Sequence, residues 1–66
     1  MQNTIEELES ELQELLLKIE NIAHDVAMGD LDSFEGFTKT QNYNDRIVEI
    51  GHLLKEKGID ITQMEN

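Results

Sequence analysis

Apolar residues follow a strict seven-residue repeat through the first half of this 66-residue chain, and this repeat constrains the fold more than any other feature. A repeat of this spacing forms a stripe along one side of an α-helix, which is stable only when another helix covers it. The first half is therefore predicted to be a helix with a helical partner. The stripe fills every a and d position of three heptads, at Ile5, Leu8, Leu12, Leu15, Ile19, Ile22 and Val26.

The bounds of this first helix follow from its capping residues. Thr4 and Glu7 have the spacing of a capping box, in which each side chain accepts a hydrogen bond from the other residue's backbone N–H. Gly29 is a typical stop, since glycine readily adopts the left-handed conformation that ends many helices. We therefore expect the helix over about residues 4–28 and a turn over 29–32.

A second helix is expected over about residues 33–57. Asp32 and Glu35 have the spacing of another capping box, and Gly58 is a second glycine stop, after which 58–66 would form a tail. Its apolar face is formed by Ile47, Ile50 and Leu54.

The segment Gly36–Asn44 leaves the continuity of this helix open, because glycine, threonine and asparagine are poor helix formers. A break at Thr38–Asn42 is the alternative to a continuous helix. The aromatic residues fall in or next to this region and are expected to plug one end of the core rather than form a ligand platform; they are Phe34, Phe37 and Tyr43.

The predicted fold is all-α, an antiparallel helical hairpin that dimerises into a four-helix bundle. A chain of this length rarely gains more than ~3–5 kcal/mol from one core without further support. The sequence contains no cysteine, which excludes disulfides, so oligomerisation is the remaining support. The predicted seam consists of Ile5, Leu8, Leu12, Leu15, Ile19, Ile22, Val26, Ile47, Ile50 and Leu54.

The net charge of −10 is concentrated in residues 1–37, which contain ten acidic residues and a single base, Lys18. Such a surface repels nucleic acid and anionic lipid and attracts basic proteins. We therefore expect no direct binding to nucleic acid. No membrane association is expected either, because no apolar run is long enough for a span and no leader pattern is present; the expected location is cytoplasmic.

A partner surface is predicted outside the seam. Leu16 and Ala23 flank the seam and widen its apolar stripe, whereas Leu17 lies on the far side of the helix. The residues proposed for partner binding are Glu6, Glu9, Glu14, Leu17, His24, Met28, Phe37 and Tyr43.

Two small or polar residues interrupt the apolar face of the second helix. Gly51 lies among apolar positions, where a missing side chain would let two helix backbones approach closely. Asn44 has two readings that stay open: a buried polar group that fixes helix register, or part of a polar surface patch over 42–44.

No motif in the chain indicates catalysis, a cofactor or a metal. Glu49 and His52 have the Glu-x-x-His spacing of di-iron bundles, but both would point away from the predicted core. There is no glycine-rich phosphate loop and no cysteine nucleophile. We expect a protein that is not an enzyme.

The function that best fits these features is a small acidic protein-binding regulator, an inhibitor or adaptor, acting as a homo-oligomer. A basic nucleic-acid-binding protein is one candidate target, which the acidic face would engage by imitating DNA. One alternative is a structural or chaperone hairpin that shields an assembly or secretion component. Another is an oligomer that sequesters a small ligand near Phe37–Asn44 and Arg46. Small size, acidity and absence of cysteine are common among phage and mobile-element proteins.

Overall fold

A computed structural model describes residues 4–59 and places them in two helices, α1 over Ile5–Ala27 and α2 over Ser33–Glu56. No strand occurs within this range. The expected all-α helical hairpin is confirmed, and each helix ends within one residue of the predicted bound. The predicted tail lies outside the described residues from position 60 onward.

The start and end of α1 show how local sequence sets the helix length. The Thr4 hydroxyl accepts a hydrogen bond from the Glu7 backbone N–H at 3.1 Å, and the Glu7 carboxylate accepts one from the Thr4 N–H at 3.4 Å. At the other end Gly29 has a φ of +82°. The Asp30 N–H then donates to the carbonyl of Asp25 at 2.8 Å, which closes a Schellman motif.

The helix α2 is continuous through Gly36–Asn44, so the alternative with a break at Thr38–Asn42 is wrong. Its N-cap is Asp32, whose carboxylate accepts hydrogen bonds from the backbone N–H groups of the second and third helical residues at 3.0 and 3.3 Å. Within the weak segment, the Thr38 hydroxyl donates to the carbonyl of Phe34 at 3.1 Å. Local capping and packing against α1 thus outweigh the low helix propensity of this segment.

A second Schellman motif ends α2 at Gly58, which has a φ of +93°. The Gly58 N–H donates to the carbonyl of Lys55 at 3.0 Å, and the Ile59 N–H donates to that of Leu54 at 2.9 Å. The apolar side chain that follows the glycine packs against the core, as this motif favours. The predicted stop at Gly58 is confirmed.

The helices run antiparallel, with Glu11 against Arg46, Lys18 near Tyr43, and Val26 near Gly36. The resulting body measures 40 × 28 × 14 Å, a slab only about one helix thick. Its core contains five buried apolar side chains: Leu8, Leu12, Leu15, Ile50 and Leu54.

The two helices approach each other closely at Gly36. A Cβ atom built there would lie 2.6 Å from Cγ2 of Val26 and 3.3 Å from Cγ2 of Ile22. Any larger residue would therefore force the Val26 side chain or one of the helices to shift. We expected a close approach at Gly51, which is partly buried; its role in packing stays a prediction.

The expected aromatic plug is wrong for both phenylalanines, since Phe34 and Phe37 are 76% and 61% exposed. Because α2 is continuous, both side chains follow its helical phase, which places Phe34 on the side away from α1 and Phe37 beside the interface with α1. Of the three aromatic residues, only Tyr43 packs against the core cluster.

Neither helix has a stretch that is both long enough and apolar enough to cross a bilayer within the residues that the structure describes.

Candidate interaction surfaces

One face of the hairpin is closed by a network around Arg46. Its guanidinium donates two hydrogen bonds to the carboxylate of Glu11, both at 2.8 Å, which joins the two helices. A third guanidinium nitrogen lies 3.1 Å from the carboxylate of Glu49, one turn further along α2. A two-point contact of this kind fixes the orientation of both groups.

These hydrogen bonds shift the titration of both partners. The pKa of Glu11 is lowered, chiefly by the hydrogen bonds from Arg46, and the pKa of Arg46 is raised, chiefly by those to Glu11. Both side chains keep about a third of their surface exposed, at 38% and 35%. Since water screens such a pair, it aligns the helices more than it stabilises them.

A cation–π contact extends this face toward the turn. The ammonium of Lys18 lies 5.7 Å from the ring centroid of Tyr43. Lys18 follows Glu11 by seven residues, so both side chains project to the same side of α1. We call this side the ion-paired face; it consists of Glu11, Lys18, Tyr43, Arg46 and Glu49.

The opposite face carries exposed apolar side chains. Val48 lies two residues after Arg46, so its side chain projects about 200° away around α2. Leu16 lies five residues after Glu11 and projects about 140° away around α1, with the core residues in between. Leu16 and Val48 therefore lie on the side of the core remote from the ion pair.

Two further residues continue this second face. Ala23 is seven residues after Leu16, and Phe37 is eleven residues before Val48, spacings that return a side chain to nearly the same direction. Leu16, Phe37 and Val48 are 50%, 61% and 58% exposed, and Ala23 is also exposed. We call Leu16, Ala23, Phe37 and Val48 the apolar stripe.

A third group of exposed residues lies on the back of α1. Leu17, His24 and Met28 are spaced seven and four residues apart and so share one side of the helix, away from α2. Leu17 and Met28 are 61% and 63% exposed. A shallow groove separates this group from the apolar stripe and is lined by Gln13, Leu16, Leu17 and Glu20.

The predicted partner residues do not form one patch. Leu17, His24 and Met28 lie together on the back of α1, but Phe37 and Tyr43 lie on different faces of the hairpin. Among the acidic members, Glu6 and Glu14 are exposed and Glu9 is partly buried; all three are on α1.

The predicted oligomer seam is used within the single chain. Five of its residues form the buried core, and Ile5 and Ile47 pack against that core. The three nearest the turn, Ile19, Ile22 and Val26, are partly buried. Contact of this seam with a second copy stays a prediction, and such a copy would have to approach from a face of the slab.

Glu49 and His52 have a sequence spacing that resembles a metal motif, and the structure shows where Glu49 binds. Glu49 is held by Arg46, and no group of three or more potential metal ligands converges among residues 4–59. Within residues 4–59, the candidate functional surfaces are therefore the faces of the helices.

The chain matches no protein-family model, no curated protein and no solved structure.

Proposed function

We propose that this chain is a small acidic protein-binding regulator that acts as a homo-oligomeric helical hairpin. The observation that carries the proposal is the difference between its two faces. The ion-paired face satisfies its charged groups within the chain, whereas the apolar stripe leaves three large apolar side chains largely exposed to solvent. Exposed apolar side chains that share one side of a small protein are typical of an interaction site.

The size of the core supports oligomerisation. Five buried side chains in a slab 14 Å thick are few for an independently stable domain. A layer packed on the apolar stripe would give the helices a second buried side. A dimer of this kind would be a four-helix bundle.

The charge of α1 supports a basic target. Glu6, Glu14 and Glu20 are exposed, and the ion pairs of the described residues use none of them. Unneutralised carboxylates raise the association rate with basic surfaces and make binding sensitive to salt. A nucleic-acid-binding protein has a surface of this kind, which favours an inhibitor or adaptor directed at such a protein.

The test is capture from a cell lysate at 50 and 300 mM salt with two charge-matched variants. Neutralising α1 with Glu6→Gln, Glu9→Gln and Glu14→Gln should abolish retention of a basic protein that the natural chain binds at the lower salt. The control neutralises three acids at the turn end of the hairpin, with Asp25→Asn, Asp30→Asn and Glu35→Gln, and should retain it. Equal retention by both variants, or at both salt concentrations, would refute the electrostatic recognition.

The chaperone alternative makes a different prediction about the isolated chain. A chaperone whose working surface is the seam would be loosely helical alone, with a helix content independent of concentration. The regulator should be fully helical at high protein concentration. Its helix content should fall cooperatively on dilution, because dilution dissociates its oligomer. Circular dichroism over a dilution series separates the two hypotheses.

A small-ligand site near Phe37–Asn44 has less support. Phe37 is largely exposed, and Tyr43 projects to the ion-paired face, so the two aromatic rings do not line a common pocket.

A further inference from the structure

We propose that the apolar stripe binds one amphipathic helix of a basic target, and that this helix carries its cations along the edge that faces α1. The bound helix lies over the line between α1 and α2 as a third helix of the bundle. The inference rests on the proposed function, which assigns a basic target, and adds the surface, the form of the target segment and the place of its charges.

The apolar stripe is long and narrow, as a single docked helix requires. Leu16 and Ala23 of α1 and Phe37 and Val48 of α2 lie on the same side of the hairpin, with one wall on each helix. Two packed helices leave a groove between their surfaces, into which a third amphipathic helix can place its apolar side.

The register of the hairpin gives the length of this surface. Leu16 falls between Glu11 and Lys18, whose contacts on α2 are Arg46 and Tyr43, so Leu16 is level with about residue 44 of α2. The two stripe residues of α2 then lie about seven residues toward the turn and four toward the open end. Together they span ~16 Å, which is three turns of a helix.

Two carboxylates border the stripe along its α1 edge. Glu9 is seven residues before Leu16 and projects in nearly the same direction, whereas Glu20 is four residues after Leu16 and projects about 40° further from α2. Neither takes part in the ion pairs of residues 4–59. The acidic edge therefore has two charges to offer a cationic partner, one on each side of Leu16.

The α2 edge of the stripe differs in charge. The residues at heptad spacing from Phe37 to Gly51 are uncharged: Gln41, Asn44 and Val48 lie between them. Lys55 follows one turn later, at the open end, and makes no ion pair among residues 4–59. An apolar surface with carboxylates along one edge only is complementary to a helix with cations along one edge only.

The shallow groove beside the stripe fits a long basic side chain. Leu16 and Leu17 form its apolar part, and Gln13 and Glu20 supply an amide and a carboxylate one turn to either side. Lysine and arginine pack their aliphatic stems on apolar surface and keep the charged end at a polar group. A cation of the target can therefore lie across the two leucines and reach Glu20.

The spacing of the two carboxylates predicts the spacing of the cations. Glu9 and Glu20 are eleven residues, or ~16 Å, apart, and helix residues eleven apart share a direction within about 20°. Two cations at this spacing on one edge of the target helix can thus meet both carboxylates. A second copy of the chain would instead bring its own charge of −10, so a basic helix displaces a copy from this face.

A synthetic helix tests the proposal directly. The probe has about 18 residues, or ~27 Å of helix, with leucines along one side, two lysines eleven residues apart on one edge of that side, and alanine and glutamine elsewhere. The control peptide has the same composition but carries its lysines on the side opposite the leucines. We expect the probe to bind at least ten-fold more tightly at low salt, one peptide per hairpin, measured by calorimetry. Equal affinities, or no binding of the probe, would overturn the proposal.

Two charge-matched variants of the chain locate the cations. Neutralising the edge with Glu9→Gln and Glu20→Gln should weaken binding of the probe at least ten-fold. The control, Glu14→Gln with Asp25→Asn, removes the same charge from the other side of α1 and should weaken it less than two-fold. Equal weakening would mean that long-range attraction alone acts, which overturns the site but leaves the electrostatic recognition of the proposed function intact.

The two exposed phenylalanines of α2 test the apolar contact. Phe37→Ala removes a residue of the stripe and should weaken binding of the probe at least five-fold, whereas Phe34→Ala removes the same group from the side away from α1 and should leave it unchanged. Equal effects would overturn the docking surface. Circular dichroism of each variant must match the natural chain, which excludes misfolding as the cause.

The lysate capture described above separates this inference from the proposed function. A chain that retains a basic protein in a charge-dependent way but does not distinguish the two peptides would overturn the docking surface alone. A chain that retains no basic protein at either salt concentration would overturn the proposed function.

Discussion

The two halves of the hairpin hold their helices together in different ways. In the open half, remote from the turn, all five buried side chains interlock: Leu8, Leu12 and Leu15 of α1 with Ile50 and Leu54 of α2. In the turn half, Ile19, Ile22 and Val26 of α1 are only partly buried, and α2 approaches them through Gly36. The α1 repeat is the same in both halves, so the partner helix causes the difference.

The comparison shows that a heptad repeat predicts which residues can be buried, while the facing helix decides how deeply they are. In the open half α2 supplies branched apolar side chains. In the turn half it supplies Gly36 and Thr40, and its phenylalanines project outward. The open half therefore depends on side-chain volume and the turn half on the absence of a side chain.

The largest effect is expected from a cavity in the open half. Ile50 has no exposed surface, so Ile50→Ala should lower the free energy of unfolding by ~2–5 kcal/mol. This loss is comparable to the whole stability expected of a hairpin this small, and the variant should be largely unfolded at 25 °C. Urea denaturation followed by circular dichroism measures the change.

The same truncation in the turn half is the matched control. Ile22 is partly buried, so Ile22→Ala should cost about half as much as a fully buried position, ~1–2 kcal/mol. Equal losses for Ile22→Ala and Ile50→Ala would remove the contrast between the halves.

An intermediate effect is expected from added volume in the turn half. Gly36→Ala would place a methyl group 2.6 Å from Cγ2 of Val26, so the Val26 side chain or one of the helices must shift. Overpacking of this kind typically costs ~1–3 kcal/mol, against which the better helix propensity of alanine returns about 1 kcal/mol. We expect a net loss of stability, measured by the same urea titration.

A compensating change identifies the cause. Val26→Ala removes the Cγ2 atom that the new methyl group would meet, so Gly36→Ala should be less destabilising in the Val26→Ala background than in the natural chain. This coupling appears directly in a double-mutant cycle. Additive effects would show that Gly36 does not act through contact with Val26.

The helices could be predicted from the sequence because their signals are local. The capping box at Thr4, the glycine stops at Gly29 and Gly58, and the apolar repeat each act within a few residues. The structure confirms them within one residue. The N-cap Asp32 was predicted in the same way.

The parts that could not be predicted depend on the relation between the helices. Considered from the sequence alone, Gly36 argued against a continuous second helix. Its presence is explained by the position of Val26 across the interface. Phe34 and Phe37 were expected inside because they are large and apolar, but the phase of a continuous α2 places them outside.

The difference between the two faces of the hairpin is also visible in the residues at the g and e heptad positions of α1. The sequence interpretation used this feature only in part. Glu11 and Lys18 occupy g positions, which often form contacts between helices, whereas Leu16 and Ala23 occupy e positions. Polar g residues indicate a side closed by ion pairs, and the apolar e residues of the second and third heptads, in contrast to Glu9 at the e position of the first, indicate a side available for packing. Identifying Arg46 as the partner of Glu11 also required the register of α2.

The smallest effect is expected from the ion pair between Glu11 and Arg46, which joins the two helices within the open half. The folded-state pKa of Glu11 is lower than its ordinary value of 4.5, so the pair stabilises the fold above that pH and the contribution is lost as the pH falls through the lowered value. The free energy of unfolding should therefore decrease on acidification below about pH 4.5. Glu11→Gln should have a shallower decrease, seen in urea titrations between pH 3 and 6.

A second neutralised acid separates this pair from general charge effects. Glu14→Gln removes the same charge from an exposed position of α1 that makes no ion pair among residues 4–59, so it should retain the pH dependence that the Glu11–Arg46 pair causes. If Glu11→Gln and Glu14→Gln flatten the pH dependence equally, then the relief of acidic repulsion, and not the hydrogen bonds from Arg46, is the cause. The open half would then be stabilised by its buried side chains alone, and the ion pair would serve only to keep Glu11 and Arg46 on one face.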